Sequence, residues 1–80
     1  MIRFTKHAQE AISARDIAVD WIEVAVSAPD WVEPDPGHPD RIPSYKVIAE
    51  HDGRVLRVVH RPDGDDILII TVHFDRRARR

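Results

Sequence analysis

The dipeptide Asp52-Gly53 stands between two strand-like runs, Tyr45 to His51 and Arg54 to Arg61. In that setting Asp-Gly is the strongest short hairpin signal a sequence carries, because a two-residue type I′ turn needs positive φ at both central residues. A third run, Asp66 to Asp75, follows the joint Pro62-Asp63-Gly64-Asp65. Residues 44–75 therefore read as an antiparallel meander with a side-chain period of two, and such a sheet must bury one face against another layer.

That layer lies upstream. Thr5 is a good N-cap, and Ala8, Ala11 and Ile12 recur at helical spacing as far as about Arg15. Asp16 ends this first helix, since a short polar side chain tolerates the left-handed conformation a helix terminus wants. A second helix is expected from about Val19 to Ala28, with Ile22, Ala25 and Val26 on one face, Trp21, Val24 and Ala28 widening it, and Pro29 as its stop. Between Pro29 and Pro43 the chain places five of its six prolines and Gly37, the composition of a rigid irregular loop to which Trp31-Val32-Glu33 adds a short strand. A connection this long in so small a chain is either a lid over a site or a wrapped segment. The expected fold class is α+β, with two N-terminal helices packed on one face of a three- to four-stranded antiparallel sheet. One domain spans 1–80, divided into a helical part (1–28), a proline-rich loop (29–43), the meander (44–75) and a basic tail (76–80).

A two-residue turn would set His51 opposite Arg54, Ala49 opposite Leu56 and Val47 opposite Val58. Tyr45, Val47, Ala49, Leu56 and Val58 then point one way, and Lys46, Ile48, Glu50, Val55, Arg57 and Val59 the other. For the last strand the preferred alignment groups Leu68, Ile70, Val72 and Phe74 with the first set. This leaves an apolar face for the helices and a mixed face carrying Lys46, Arg57, Thr71 and His73 among Ile48, Val59 and Ile69. With strands about 4.8 Å apart, those polar groups fall within roughly 10 Å of one another, the scale of one phosphodiester and its sugars. The other alignment moves Thr71 and His73 to the face of Leu56 and Val58 and dissolves the cluster.

Eighty residues limit the chain to one modest core. Without cysteine there is neither a disulfide framework nor a thiolate metal site, which suits a reducing cytoplasm, the expected location. No stretch approaches the roughly 20 apolar residues of a membrane span, and no apolar core follows the first positive charges, so neither insertion nor export is expected. A net charge of -2 and a pI near 6.2 argue against nucleic-acid packaging. Charge is nonetheless segregated, with Asp30, Glu33, Asp35 and Asp40 in the middle and Arg76-Arg77-Ala78-Arg79-Arg80 at the end. No P-loop, Gly-x-Ser-x-Gly elbow, His-Glu-x-x-His or paired glycines after a strand occurs, which excludes nucleotide hydrolysis, dinucleotide oxidoreduction and the common hydrolase mechanisms. His38, Asp35 and Asp40 match no ligand spacing, and no metal or cofactor is expected.

Several segments are familiar in their order and spacing: Phe4-Thr5-Lys6-His7-Ala8, Arg15-Asp16-Ile17, Ala28-Pro29-Asp30, and Gly53-Arg54-Val55-Leu56-Arg57-Val58-Val59 with Ile69-Ile70-Thr71-Val72. Together they resemble the small bacterial family catalogued as domain of unknown function 4258, over nearly the whole chain. The resemblance implies a fold related to BrnT and RelE toxins, whose antiparallel sheet carries RNA-cleaving side chains on the face away from the helices. His7, Arg54, Arg57 and Thr71 match that family's recurrent polar positions, whereas Ala11 stands where arginine is usual, Asp16 where glycine is common and His73 where tyrosine is frequent.

Metal-independent RNA cleavage needs a base for the 2′-hydroxyl, an acid for the leaving oxygen and cations for the phosphate. The candidate catalytic set is His73 as acid or base, Arg57 and Lys46 as phosphate ligands, Thr71 as orienting hydroxyl, and His7, which the positive end of the helix dipole would keep neutral. Arg54, Arg61, Arg76, Arg77, Arg79 and Arg80 are the candidate nucleic-acid contacts. Plainer roles stand beside these. Charges on a sheet face commonly serve solvation, His7 is placed to hydrogen-bond the neighbouring loop or sheet, His51 and His60 near strand ends are expected to be exposed, and Trp21 and Trp31 to border the core. The partners to consider are RNA or the ribosome, a small antitoxin protein and a second copy in a homodimer. The chain thus reads as an RNA-binding or RNA-cleaving toxin of a toxin–antitoxin pair. Its rival is a non-catalytic interaction or dimerisation module docking through the basic-apolar face or an edge strand.

Overall fold

Thr5 starts the helical part as its sequence suggests: the Oγ1 atom accepts the Ala8 N–H at 3.1 Å and donates to the Ile70 carbonyl at 2.7 Å, so one hydroxyl caps a helix and ties it to the sheet. The computed structural model describes residues 1–78. Its elements are β1 (Ile2–Phe4), α1 (Lys6–Arg15), α2 (Val19–Ser27), β2 (Trp31–Val32), β3 (Ile42–Ile48), a 3-10 turn (Ala49–His51), β4 (Arg54–Asp63) and β5 (Asp66–Phe74). Asp16 ends α1 in the left-handed region at φ 52°, ψ 48°. Helix α2 stops before Pro29 and buries the stripe Ile22 and Ala25, while Val24, expected to widen that face, remains 44% exposed.

The strands form one sheet in the order β1-β5-β4-β3-β2. Both helices cover the same face, where Ala8, Ile17, Ile22 and Ala25 meet Ile48, Leu56, Val58, Ile69 and Val72 in a continuous core. The sheet has five strands, not three or four. The strand outside expectation is β1, which pairs parallel to β5 (Ile2 with Ile67, Phe4 with Ile69) and is too short to display a period. Among the described residues no helix is long and apolar enough to cross a membrane.

The first hairpin has a different register from the one a two-residue turn dictates. Ile48, not His51, lies opposite Arg54, a slip of three residues, and Tyr45 lies opposite Arg57. The cause is the 3-10 turn, which withdraws residues 49–51 from the ladder before Asp52 (φ 57°) and Gly53 (φ 68°) reverse the chain and the Gly53 N–H bonds the Ile48 carbonyl at 3.0 Å. An odd slip turns β3 over. Ile48 enters the core, whereas Tyr45 and Val47, expected beside the helices, lie on the outer face with Val55 and Arg57. The gain is burial of an isoleucine side chain, worth about 2 kcal/mol, where the shorter turn would have offered Ala49.

The second hairpin pairs Asp63 with Asp66 around Gly64 (φ 62°). Val59 faces Thr71 but His60 faces Ile69, so Ile70 is a bulge without a partner. Val72 and Phe74 share the helix side with Leu56 and Val58 as expected; beyond the bulge Ile69 and Ile67 take the places expected of Ile70 and Leu68. The proline-rich segment is a wrapped connection. Its β2 pairs with β3 (Trp31 with Tyr45), the Asp30 N–H bonds the Tyr45 carbonyl, and the Asp30 carboxylate accepts the Val47 N–H at 2.8 Å.

Candidate active site

On the outer face Arg57 and His73 are direct cross-strand partners, and Val59 and Thr71 form the next pair along. Arg57 is held by what lies beneath it. Its Nε donates to Tyr45 Oη at 3.0 Å, the Oη donates to Glu33 Oε2 at 3.3 Å, and the guanidinium carbon lies 5.9 Å from the Tyr45 ring centroid. Trp31 stacks on the other side of this assembly, 4.9 Å from Tyr45 with the rings 3° apart, and donates its Nε1–H to Glu33 Oε1 at 3.3 Å. Lys46 does not join the cluster. The slip of β3 places it opposite Leu56 on the helix side, where Nζ donates to the Ala28 carbonyl at 3.0 Å and pairs with Asp30 at 3.5 Å.

Helix α1 brings further groups to the same edge. Strand β1 ends at Phe4, and from there α1 overhangs β5, leaving a groove of about 320 Å³ between them. His7, Glu10 and Arg15 border it on the helix side, across the short Ala11 and Ala14, and Thr71 and His73 border it on the strand. The proton affinity of His73 is lowered, first by partial desolvation in the groove and then by the Arg57 and Arg15 guanidiniums, with Asp75 opposing. Because the residue as a whole is exposed, the two cations are the more telling cause, and the ring is neutral at neutral pH. The exposed His7 makes no hydrogen bond among the described residues; the tie from helix to sheet falls to Thr5 instead. Glu10, Arg15 and Tyr45 were not anticipated. The helix pair carried a usable signal, since positions three and eight residues past His7 share its face. Tyr45 became accessible to inference only with the true register.

The other candidates disperse. Arg54 lies at the helix-side end of β4, 5.8 Å from the centroid of Phe74, next to His51 stacked on that ring at 4.6 Å. Arg61 stands seven positions further along β4, roughly 23 Å away at strand rise, and bonds the Pro62 carbonyl. Arg76 and Arg77 follow directly from the His73 end of β5 and are exposed; Arg79 and Arg80 lie outside the described residues. His60, expected to be exposed, is buried with Nε2 2.8 Å from Ser44 Oγ, and His51 is half-buried. In the loop, partial desolvation works to raise the Asp35 carboxyl, but its bonds to His38 and the Gly37 N–H, helped by the Arg57 charge, hold it below the ordinary value. Along this groove, then, stand two imidazoles, a hydroxyl, a carboxylate and the Arg15 guanidinium, with Arg57 on the neighbouring strand opposite His73, a set able to bind a phosphate and to move a proton.

No curated protein and no solved structure matches the chain. The family described as Domain of unknown function (DUF4258) matches residues 4–74, a span that contains the whole cluster from His7 to His73, and the chain belongs to that family.

Proposed function

We propose that the protein binds RNA along the edge formed by Arg57, Thr71 and His73 and cleaves it without a metal, as the toxin of a toxin–antitoxin pair. The observation that carries this reading is the direct pairing of Arg57 with His73 under the overhanging Arg15. His73, uncharged at neutrality, takes the proton of a 2′-hydroxyl; the 2′-oxygen attacks phosphorus, and the 5′-oxygen leaves with a proton from solvent. Arg57 and Arg15 hold the non-bridging oxygens, whose charge grows as the fifth bond to phosphorus forms. Thr71 orients the ribose.

Incubation of the purified protein with ribosomes and with free RNA in the presence of a chelator tests the proposal. Expected products carry 2′,3′-cyclic phosphate and 5′-hydroxyl ends, and Arg57→Ala and His73→Ala each lower the rate about a hundredfold. If neither substrate is cut, or if Arg57→Ala cuts as fast as the parent chain, the proposal fails.

A further inference from the structure

Across the outer face one row of side chains runs at right angles to the strands. Trp31 stands opposite Tyr45, Tyr45 opposite Arg57, and Arg57 opposite His73, so β2, β3, β4 and β5 each contribute one member. The groove beside α1 takes in only the His73 end. The other end is aromatic. Tyr45 is enclosed from both sides, by the indole 4.9 Å away and by the Arg57 guanidinium 5.9 Å from its ring centroid, and keeps 5% of its surface. Trp31 is the terminal member. Strand β2 is the last of the sheet, so no strand stands on the indole's other side, and the residue remains partly exposed. Of the valines flanking the row on this face, Val59 is buried and Val47 exposed, so the row is approached from the Val47 side.

What Trp31 offers a ligand is a flat surface. Its Nε1–H is taken by Glu33 Oε1, and an indole has no other donor or acceptor. The stack on Tyr45 and the bond to Glu33 hold the ring in place, so a planar group meeting it orders no further side chain. Arg57 commits only Nε, to Tyr45 Oη; its two Nη groups make no hydrogen bond or ion pair among the described residues and form a fork that fits a phosphate. The acids nearby are already engaged: Glu33 accepts from Trp31 and Tyr45, and Asp35, in the field of Arg57, is bonded by His38 and the Gly37 N–H. A single strand of RNA carries both complements, a charged backbone for the fork and a π-face on every base. We infer that Trp31 is a base-stacking platform for the RNA strand whose phosphate lies at Arg57. Two strand spacings and one stacking distance put the stacked base roughly 14 Å from the guanidinium. A stacked strand rises about 3.4 Å per nucleotide, so this base belongs to a nucleotide about two to four removed from the held phosphate, according to how far the strand is drawn out. The platform adds affinity with little choice of sequence. The inference rests on the reading that a strand lies across Arg57, and not on its cleavage.

NMR of the full chain titrated with hexadeoxyadenylate, which lacks the 2′-hydroxyl and so cannot be cut by the proposed route, tests this. The indole ring protons of Trp31 are expected to move upfield, while those of Trp21, packed against the core, stay in place. A strand of the same length with tetrahydrofuran in place of every base presents the same phosphates, and the parent chain should bind it more weakly. Trp31→Leu, which still covers Tyr45 but offers no π-face, should reduce the advantage of the base-bearing strand about tenfold, and Trp31→Phe should keep most of it. If Trp31 served only to hold Tyr45 and Arg57, Trp31→Leu would weaken both strands alike. That result overturns the inference, as do Trp31 ring protons unmoved at saturation. Trp31 signals that shift with protein concentration before any oligonucleotide is added also overturn it and assign the indole face to a second copy. A chain that meets these expectations but leaves RNA uncut keeps the platform and loses the cleavage; one that cuts RNA while Trp31→Leu leaves the ratio unchanged keeps the cleavage and loses the platform.

Discussion

His60 keeps only 7% of its surface exposed, with Ser44 Oγ at 2.8 Å, and burial favours its uncharged ring, lowering its pKa from 6.5. The unfolded chain takes up this proton near its ordinary value and the folded chain only at lower pH. The associated stability is therefore whole above about pH 6.5 and is lost as pH falls from there through the folded value. While only the unfolded chain is protonated, the loss runs at up to about 1.4 kcal/mol per pH unit. Urea midpoints between about pH 7.5 and pH 5.5 should fall accordingly, His60→Gln should flatten that limb, and Ser44→Ala should cost about 1–2 kcal/mol at neutrality by leaving the ring nitrogen without its partner. For His73 two cations add to the desolvation. Its proton is repelled by Arg57 and Arg15 after partial desolvation, so Arg57→Gln and Arg15→Gln should each raise the His73 midpoint followed by NMR. An unmoved midpoint in both would show that neither guanidinium acts on the ring.

At the scale of elements, Asp52-Gly53 illustrates what a local signal contains. It marks where the chain reverses, and both residues have the positive φ that a turn of this kind requires. It does not contain where the incoming strand stops, because that is decided by whether Ile48 or Ala49 is delivered to the core, a tertiary matter. For the same reason the local pattern puts Lys46 on the wrong face, whereas it groups Arg57, Thr71 and His73 as the sheet does: all three belong to the β4–β5 ladder, which is regular from the Leu56–Phe74 pair to the Val59–Thr71 pair and bulges only beyond it. Strand β1 escaped notice because three residues hold no periodicity, and its pairing is parallel and remote in sequence. The helices were legible from Thr5, Asp16 and Pro29, whose chemistry is local. Gly53 gives a clean test of the turn. An added Cβ would meet nothing within 4 Å, so Gly53→Ala should cost about 1–2 kcal/mol from conformation alone, lowering the melting temperature by several degrees. Gly37→Ala, where the new Cβ would sit at an ordinary 3.5 Å from the Asp35 carboxylate and φ is not positive, should leave it nearly unchanged.

Across the whole molecule the charges nearly cancel in sum but not in space. Asp63, Asp65 and Asp66 cluster at the turn that opens β5, with Arg3 bound to Asp63 at 2.7 Å, while Arg76 and Arg77 follow its far end. Nine residues of strand separate these poles by roughly 30 Å, more than the Debye length of about 8 Å at physiological salt, so a polyanion meets each pole as a separate field. A net charge of -2 therefore does not oppose RNA binding at the arginine pole. Each phosphate neutralised on a single strand adds about 0.7 to the slope of log K against log salt. Filter binding of a single-stranded RNA should then lose about 0.7 of slope in Arg76→Ala and again in Arg77→Ala, while Asp65→Asn at the opposite pole leaves the slope where it was. Equal slopes in the parent chain and the double arginine variant would place the RNA away from the His73 end of β5, and the cleavage geometry with it.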